Sequence, residues 1–182
     1  MRTLALALLF SAPAFAGEFP SRPAGDEQAN PMEGLYAAAG GGAQFFISGD
    51  NGFGYDLEGK LGYSFGPPLQ IFLSGAFDSA TIAGLVEKTI QVAAFLQYHL
   101  VTRGRVMPYT RAGIGVCLVP DFPIRGQTGV GLAAAGGLGM EIQLNQSFFV
   151  APEFFYRRAT VSASGSSTDV QIIGLQLSLI YY

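Results

Sequence analysis

Tyr55-Asp56-Leu57-Glu58-Gly59-Lys60-Leu61-Gly62-Tyr63-Ser64-Phe65-Gly66 separates into two interleaved faces. One carries Tyr55, Leu57, Gly59, Leu61, Tyr63 and Phe65; the other carries Asp56, Glu58, Lys60, Gly62, Ser64 and Gly66. A period of two held over such a stretch is a β-strand, because an amphipathic helix needs its apolar positions three and four apart. Ile90 to Leu100 repeats the pattern, with Ile90, Val92, Ala94, Leu96, Tyr98 and Leu100 set against Gln91, Ala93, Phe95, Gln97 and His99.

Working outward, segments 35–48, 69–78, 106–118, 130–143, 148–158 and 170–182 show the same alternation and bring the predicted strands to eight. At about ten residues each they have the length a tilted strand needs to cross hydrocarbon. The spacing predicts short connections at Gly66-Pro67-Pro68, Thr102–Arg105 and Asn145–Ser147. Long ones are predicted at Gly49–Gly54, Ser79–Lys88, Pro120–Gly129 and Thr160–Asp169. An even number of antiparallel strands with short turns at one end and longer loops at the other is the pattern of a bacterial outer-membrane barrel. In this arrangement both termini are periplasmic and the long loops are external. Pro152, inside a predicted strand, removes a ladder donor, which a bulge would absorb.

Charge placement separates a membrane barrel from a soluble sandwich. Within the predicted strands Asp56, Glu58, Lys60, Asp78, Arg111, Glu141, Glu153 and Arg157 share one face, and the other is free of charge until Arg158. Only 13% of residues are charged, about half the fraction of ordinary soluble domains, and mean hydropathy is +0.35. Such a surface is poorly solvated, yet no later run is long enough for a spanning helix. A chain of this kind can satisfy its backbone in lipid by closing a sheet on itself. The polar face is rich in glycine and alanine, which suits the crowded interior of an eight-stranded barrel. The face without charge gathers aromatics near the strand ends, as two interfacial girdles would.

The first residues read as an export signal. Arg2 provides the positive start, Leu4 to Phe10 the apolar stretch, and Ala14-Phe15-Ala16 the small-residue cleavage pattern. The domain plan is therefore a signal peptide over 1–16, a flexible periplasmic arm over 17–33 and an outer-membrane barrel over 34–182. The only cysteine, Cys117, excludes an internal disulfide and is not at the cleavage site, so a lipoprotein is excluded too. A net charge of −3 without a basic cluster argues against nucleic acid.

Pro108-Tyr109-Thr110-Arg111-Ala112-Gly113-Ile114-Gly115 resembles the P-Y-x-x-A-G-x-G strand of small OmpA-like and OmpX-like outer-membrane barrels. Gly137-Leu138-Gly139-Met140-Glu141 and Pro152-Glu153-Phe154-Phe155-Tyr156-Arg157 resemble that family's next two strands. The resemblance covers roughly residues 34–182 and implies fold and location rather than activity. Leu175, Leu177, Leu179 and Tyr181 resemble its C-terminal assembly signal, read by the barrel insertion machinery; Tyr182 departs from it by adding one residue.

The candidate site is the polar network expected in the lumen: Asp56, Glu58, Lys60, Asp78, His99, Arg111, Glu141, Glu153 and Arg157. Glu141 and Glu153 are the expected partners of the arginines. Asp121, Phe122, Ile124 and Arg125 are candidate external contacts. No catalytic residue, metal ligand or cofactor is assigned. His99 lacks the H-x-S pairing that lipid A deacylases show, because Leu100 and Val101 follow it. The expected role is structural or surface-interacting through the external loops. Its partners would be outer-membrane lipid, lipopolysaccharide and an extracellular molecule. A small solute conduit and a lipid-modifying enzyme are the alternatives.

Overall fold

The alternation of Tyr55–Gly66 falls inside a strand running from Gly52 to Phe65 in the computed structural model, which describes residues 32–47, 51–82, 84–121, 126–163 and 165–182. In chain order the strands are β1 (Glu33–Phe46), β2 (Gly52–Phe65), β3 (Leu69–Ile82) and β4 (Leu85–His99). They continue as β5 (Val106–Pro120), β6 (Thr128–Gln143), β7 (Phe148–Ala163) and β8 (Ser166–Tyr181). Each pairs antiparallel with its sequence neighbour, and β1 pairs with β8, so the sheet is a closed eight-stranded barrel. Closure leaves no edge, the condition for a sheet in lipid.

The register fixes the stagger. Ala37 pairs with Leu61, Leu61 with Leu73, Leu73 with Ala94 and Ala94 with Ile114. The row continues through Ala134 and Arg158 to Gln171, whose carbonyl accepts from the Ile47 amide. One circuit therefore leaves β1 at Ala37 and returns to it at Ile47, so the strands must tilt against the barrel axis. Along every strand alternate side chains point in and out. Outward stand Leu57, Leu61, Leu73, Leu96, Ile114, Leu132 and Leu175, all exposed. Exposed or half-buried aromatics mark both borders of this band: Tyr63, Phe65, Tyr98, Phe148 and Tyr181 toward the rim of the chain ends, Phe45, Phe53, Tyr55, Phe77 and Tyr156 toward the other.

Three expectations are corrected. Ser79–Lys88 and Thr160–Asp169 are not long loops: Ser79 pairs with Lys88 and Thr160 with Asp169, and only residues 83–84 and 164–165 separate the strands. The period of two continues there at low contrast, with Ala80, Ile82, Val161 and Val170 inward and buried while Thr81, Lys88, Thr160 and Ser162 face outward. The longer connections are 47–51 and 121–127 at that rim and 100–105 at the other, so loop lengths do not alternate. Pro152 introduces no bulge. Pairing lapses between Gly139↔Glu153 and Ile142↔Val150, but the register is the same on both sides. The barrel also takes in Glu33, the last residue assigned to the arm, and Met32 beside it is buried. The export signal and the rest of the arm lie outside the described residues.

Candidate functional site

Inside the barrel two apolar clusters enclose a polar belt. Toward the rim of the chain ends Met32, Tyr36, Phe72, Phe95, Met107, Tyr109, Phe149 and Ile180 pack together, with Tyr182 against them. Toward the other rim Phe46, Ile82, Cys117, Val119, Phe155, Val161 and Ile172 do the same. All nine lumen residues singled out in the sequence are buried, with His99 against Tyr109 and Glu141 bonded to Tyr182 at the first cluster. Glycines make the room: a Cβ on Gly137 would lie 2.6 Å from Glu153 Oε1, and one on Gly139 would lie 2.6 Å from Tyr109 Oη.

Arg111 on β5 is the hub. Its Nη1 and Nη2 donate to Glu58 Oε1 and Oε2 on β2, each at 3.0 Å, and Nη2 also contacts Glu153 on β7. The guanidinium stacks on Phe95, its carbon 4.7 Å from the ring centroid, an arrangement that suits a planar cation. Lys60 lies 3.5 Å from both Glu58 Oε2 and Glu153 Oε2. The Tyr109 hydroxyl donates to Glu153 Oε2 at 2.6 Å, and Gln176 Nε2 donates to Glu58 Oε2 at 2.7 Å.

Nearer the second cluster Asp56 and Asp78 stand directly opposite each other on β2 and β3. Two facing carboxylates repel, and Arg157 lies between them. Its Nη1 donates to Asp78 Oδ1 at 2.6 Å while Nη2 is 3.8 Å from Asp56 Oδ2. Thr89 completes Asp78 with a 2.9 Å bond, and Arg157 stacks on Phe155 at 4.2 Å. Neither oxygen of Asp56 has a hydrogen-bond partner among the described residues.

Glu141 does not reach an arginine, contrary to expectation. It accepts from Gln97 Nε2 at 2.7 Å and from the Tyr182 hydroxyl at 2.8 Å, with His99 Nε2 at 3.3 Å. Register explains the difference: β5 sets Arg111 opposite Gln97 and Gly137, so its carboxylates come from across the lumen. Tyr182, the residue added after the alternating signal, turns its ring inward, 5.2 Å from Tyr36 and 5.0 Å from Phe149 between centroids. Leu175, Leu177, Leu179 and Tyr181 face outward. Thr89 and Tyr109 were missed as members of the network, and of the inward glutamines Gln97 and Gln176 were not singled out; inward parity was the available signal.

Among the external candidates Asp121 has φ 61° and accepts from the Gly126 amide at 2.8 Å. Phe122, Ile124 and Arg125 lie outside the described residues. Cys117 is buried in the lumen, and no group of metal-ligating side chains occurs among the described residues.

The profile of the outer membrane protein beta-barrel domain matches residues 3–181. Among curated proteins no sequence matches this one. The solved structure of Neisserial surface protein A is 14% identical with a TM-score of 0.66, over 82% of this chain and 97% of that one. The outer membrane protein OprG from Pseudomonas aeruginosa is 17% identical at a TM-score of 0.52, over 83% and 97%. The outer membrane enzyme PagL is 17% identical at 0.53, over 79% and 97%. These likenesses concern the fold.

Proposed function

The chain belongs to the outer membrane protein beta-barrel family, and from that footing we propose that it is a closed barrel whose work is done at its outer rim. The observation that carries this reading is the filled lumen. Arg111 and Arg157 are engaged by carboxylates and stacked on aromatic rings, Lys60 lies between two glutamates, and an apolar cluster lies on either side. An interior built this way holds the wall rigid and leaves little space for a water column. The β3–β4 and β7–β8 hairpins then serve as stiff projections, with Leu85 and Val86 exposed near the tip of the first. Neisserial surface protein A, the structure of highest TM-score reported above, is by its name a surface protein, which agrees with this reading.

Exchange of the 80–87 tip for a two-residue turn tests the proposal. The barrel should still fold, and attachment of cells to their target surface should fall while solute uptake stays constant. Unchanged attachment with altered uptake would contradict it. One observation favours a second reading, a narrow ion path: the buried Asp56 carboxyl has no hydrogen-bond partner among the described residues. An ordered water beside it is the simpler occupant.

A further inference from the structure

The lipid-facing wall carries a groove of about 680 Å³ over β2, β3, β4 and β5. Ala94 and Ala112 form its floor, and Ile71, Leu73, Leu96 and Ile114 stand along it. The register explains the depression: Ala94 lies between Leu73 and Ile114 in one row, and Ala112 follows Ile71 and Leu96 in the next. Beyond the groove along β4 and β5 comes the pair Tyr98 and Thr110, and after it the 100–105 turn, at the rim where the described chain ends also lie.

In that turn Arg103 and Arg105 are exposed, and among the described residues neither side chain has a partner. Arg158, which faces outward on β7, is by contrast held by Asp169 at 3.1 Å. Leu100, Val101 and Val106 flank the pair and are exposed as well. Two free guanidinium groups thus sit at the membrane border in the turn that joins β4 and β5, two of the strands that form the furrow.

We propose that these features form one binding site for a phospholipid of net negative headgroup charge, its phosphate on Arg103 and Arg105 and one acyl chain in the groove. Guanidinium groups match phosphate oxygens in charge and in fork geometry. Basic side chains at a membrane surface attract anionic lipid, and a concave apolar wall gives a chain more contacts than a flat one. Charge and shape are separate observations that converge on β4 and β5.

The test uses the full chain, folded in detergent, stripped of lipid and offered equal amounts of phosphatidylglycerol and phosphatidylcholine with the same acyl chains. Native mass spectrometry reads the lipid retained, and the heat-dependent shift in gel mobility verifies folding. The expected preference for phosphatidylglycerol is about thirtyfold. The double variant Arg103→Gln, Arg105→Gln should retain both lipids equally. Ala112→Phe should lower retention of both while keeping the preference; Ala94→Phe replaces it if that variant does not fold. Equal retention by the parent protein, or a preference that survives loss of both arginines, overturns the proposal. So does full retention after the groove is filled, or displacement of phosphatidylglycerol by lipopolysaccharide.

Discussion

Arg111 shows what a single interior residue carries. Two carboxylates from across the lumen and the face of Phe95 enclose it, so removing it leaves the buried Glu58 and Glu153 with Lys60 as their shared cation. Breaking a buried pair from one side costs about 3–5 kcal/mol. Arg111→Ala should therefore lower the unfolding free energy obtained by urea titration of the folded band by that margin, and an unchanged value would show that the pairs contribute nothing. Tyr182→Phe is a milder case, since it removes one donor to Glu141 but leaves the Gln97 bond. About 1–3 kcal/mol is expected, read in the same assay. At this scale the sequence told which residues point inward, because parity along a strand decides it. It did not tell which of them meet. Contacts such as Arg111 with Glu58 or Arg157 with Asp78 cross the lumen and depend on closure and stagger.

For the strands, depth in the membrane is the controlling variable. Leu61 lies mid-strand on the outward face and is 65% exposed; Val86, 63% exposed, lies near the tip of the β3–β4 hairpin on that face. An arginine near the bilayer midplane costs about 2–4 kcal/mol and much less near the interface. Leu61→Arg should impair insertion into vesicles while Val86→Arg inserts nearly as the parent does; equal yields would show the outward face or its depth to be misassigned. Strong contrast made β2 and β4 legible, since Leu57, Leu61 and Val92 alternate with Asp56, Glu58, Lys60 and Gln91. The ends of β3, β7 and β8 away from the chain termini were hidden for the opposite reason. Thr160, Ser162, Ser167 and Thr168 resemble loop residues, although the ladder runs through them. Pro152 interrupted pairing without shifting register, which its missing donor alone does not decide.

The whole molecule is defined by closure: every strand has two neighbours, and the interior is occupied from one apolar cluster through the ion-pair belt to the other. Such a barrel should migrate differently on a gel before and after boiling, and a single common mobility would deny that it is closed and stable. Fold and lumen parity could be read from alternation because they are local repeats. The inward turn of Tyr182 and the groove over Ala94 and Ala112 could not, since they arise where distant segments meet. The most direct test of a filled, non-conducting interior is steady current through the purified protein in a planar bilayer. The expected result is negligible conductance for the parent, with any steps appearing only in variants such as Arg111→Ala. Large, regular single-channel currents from the unmodified protein would contradict the account.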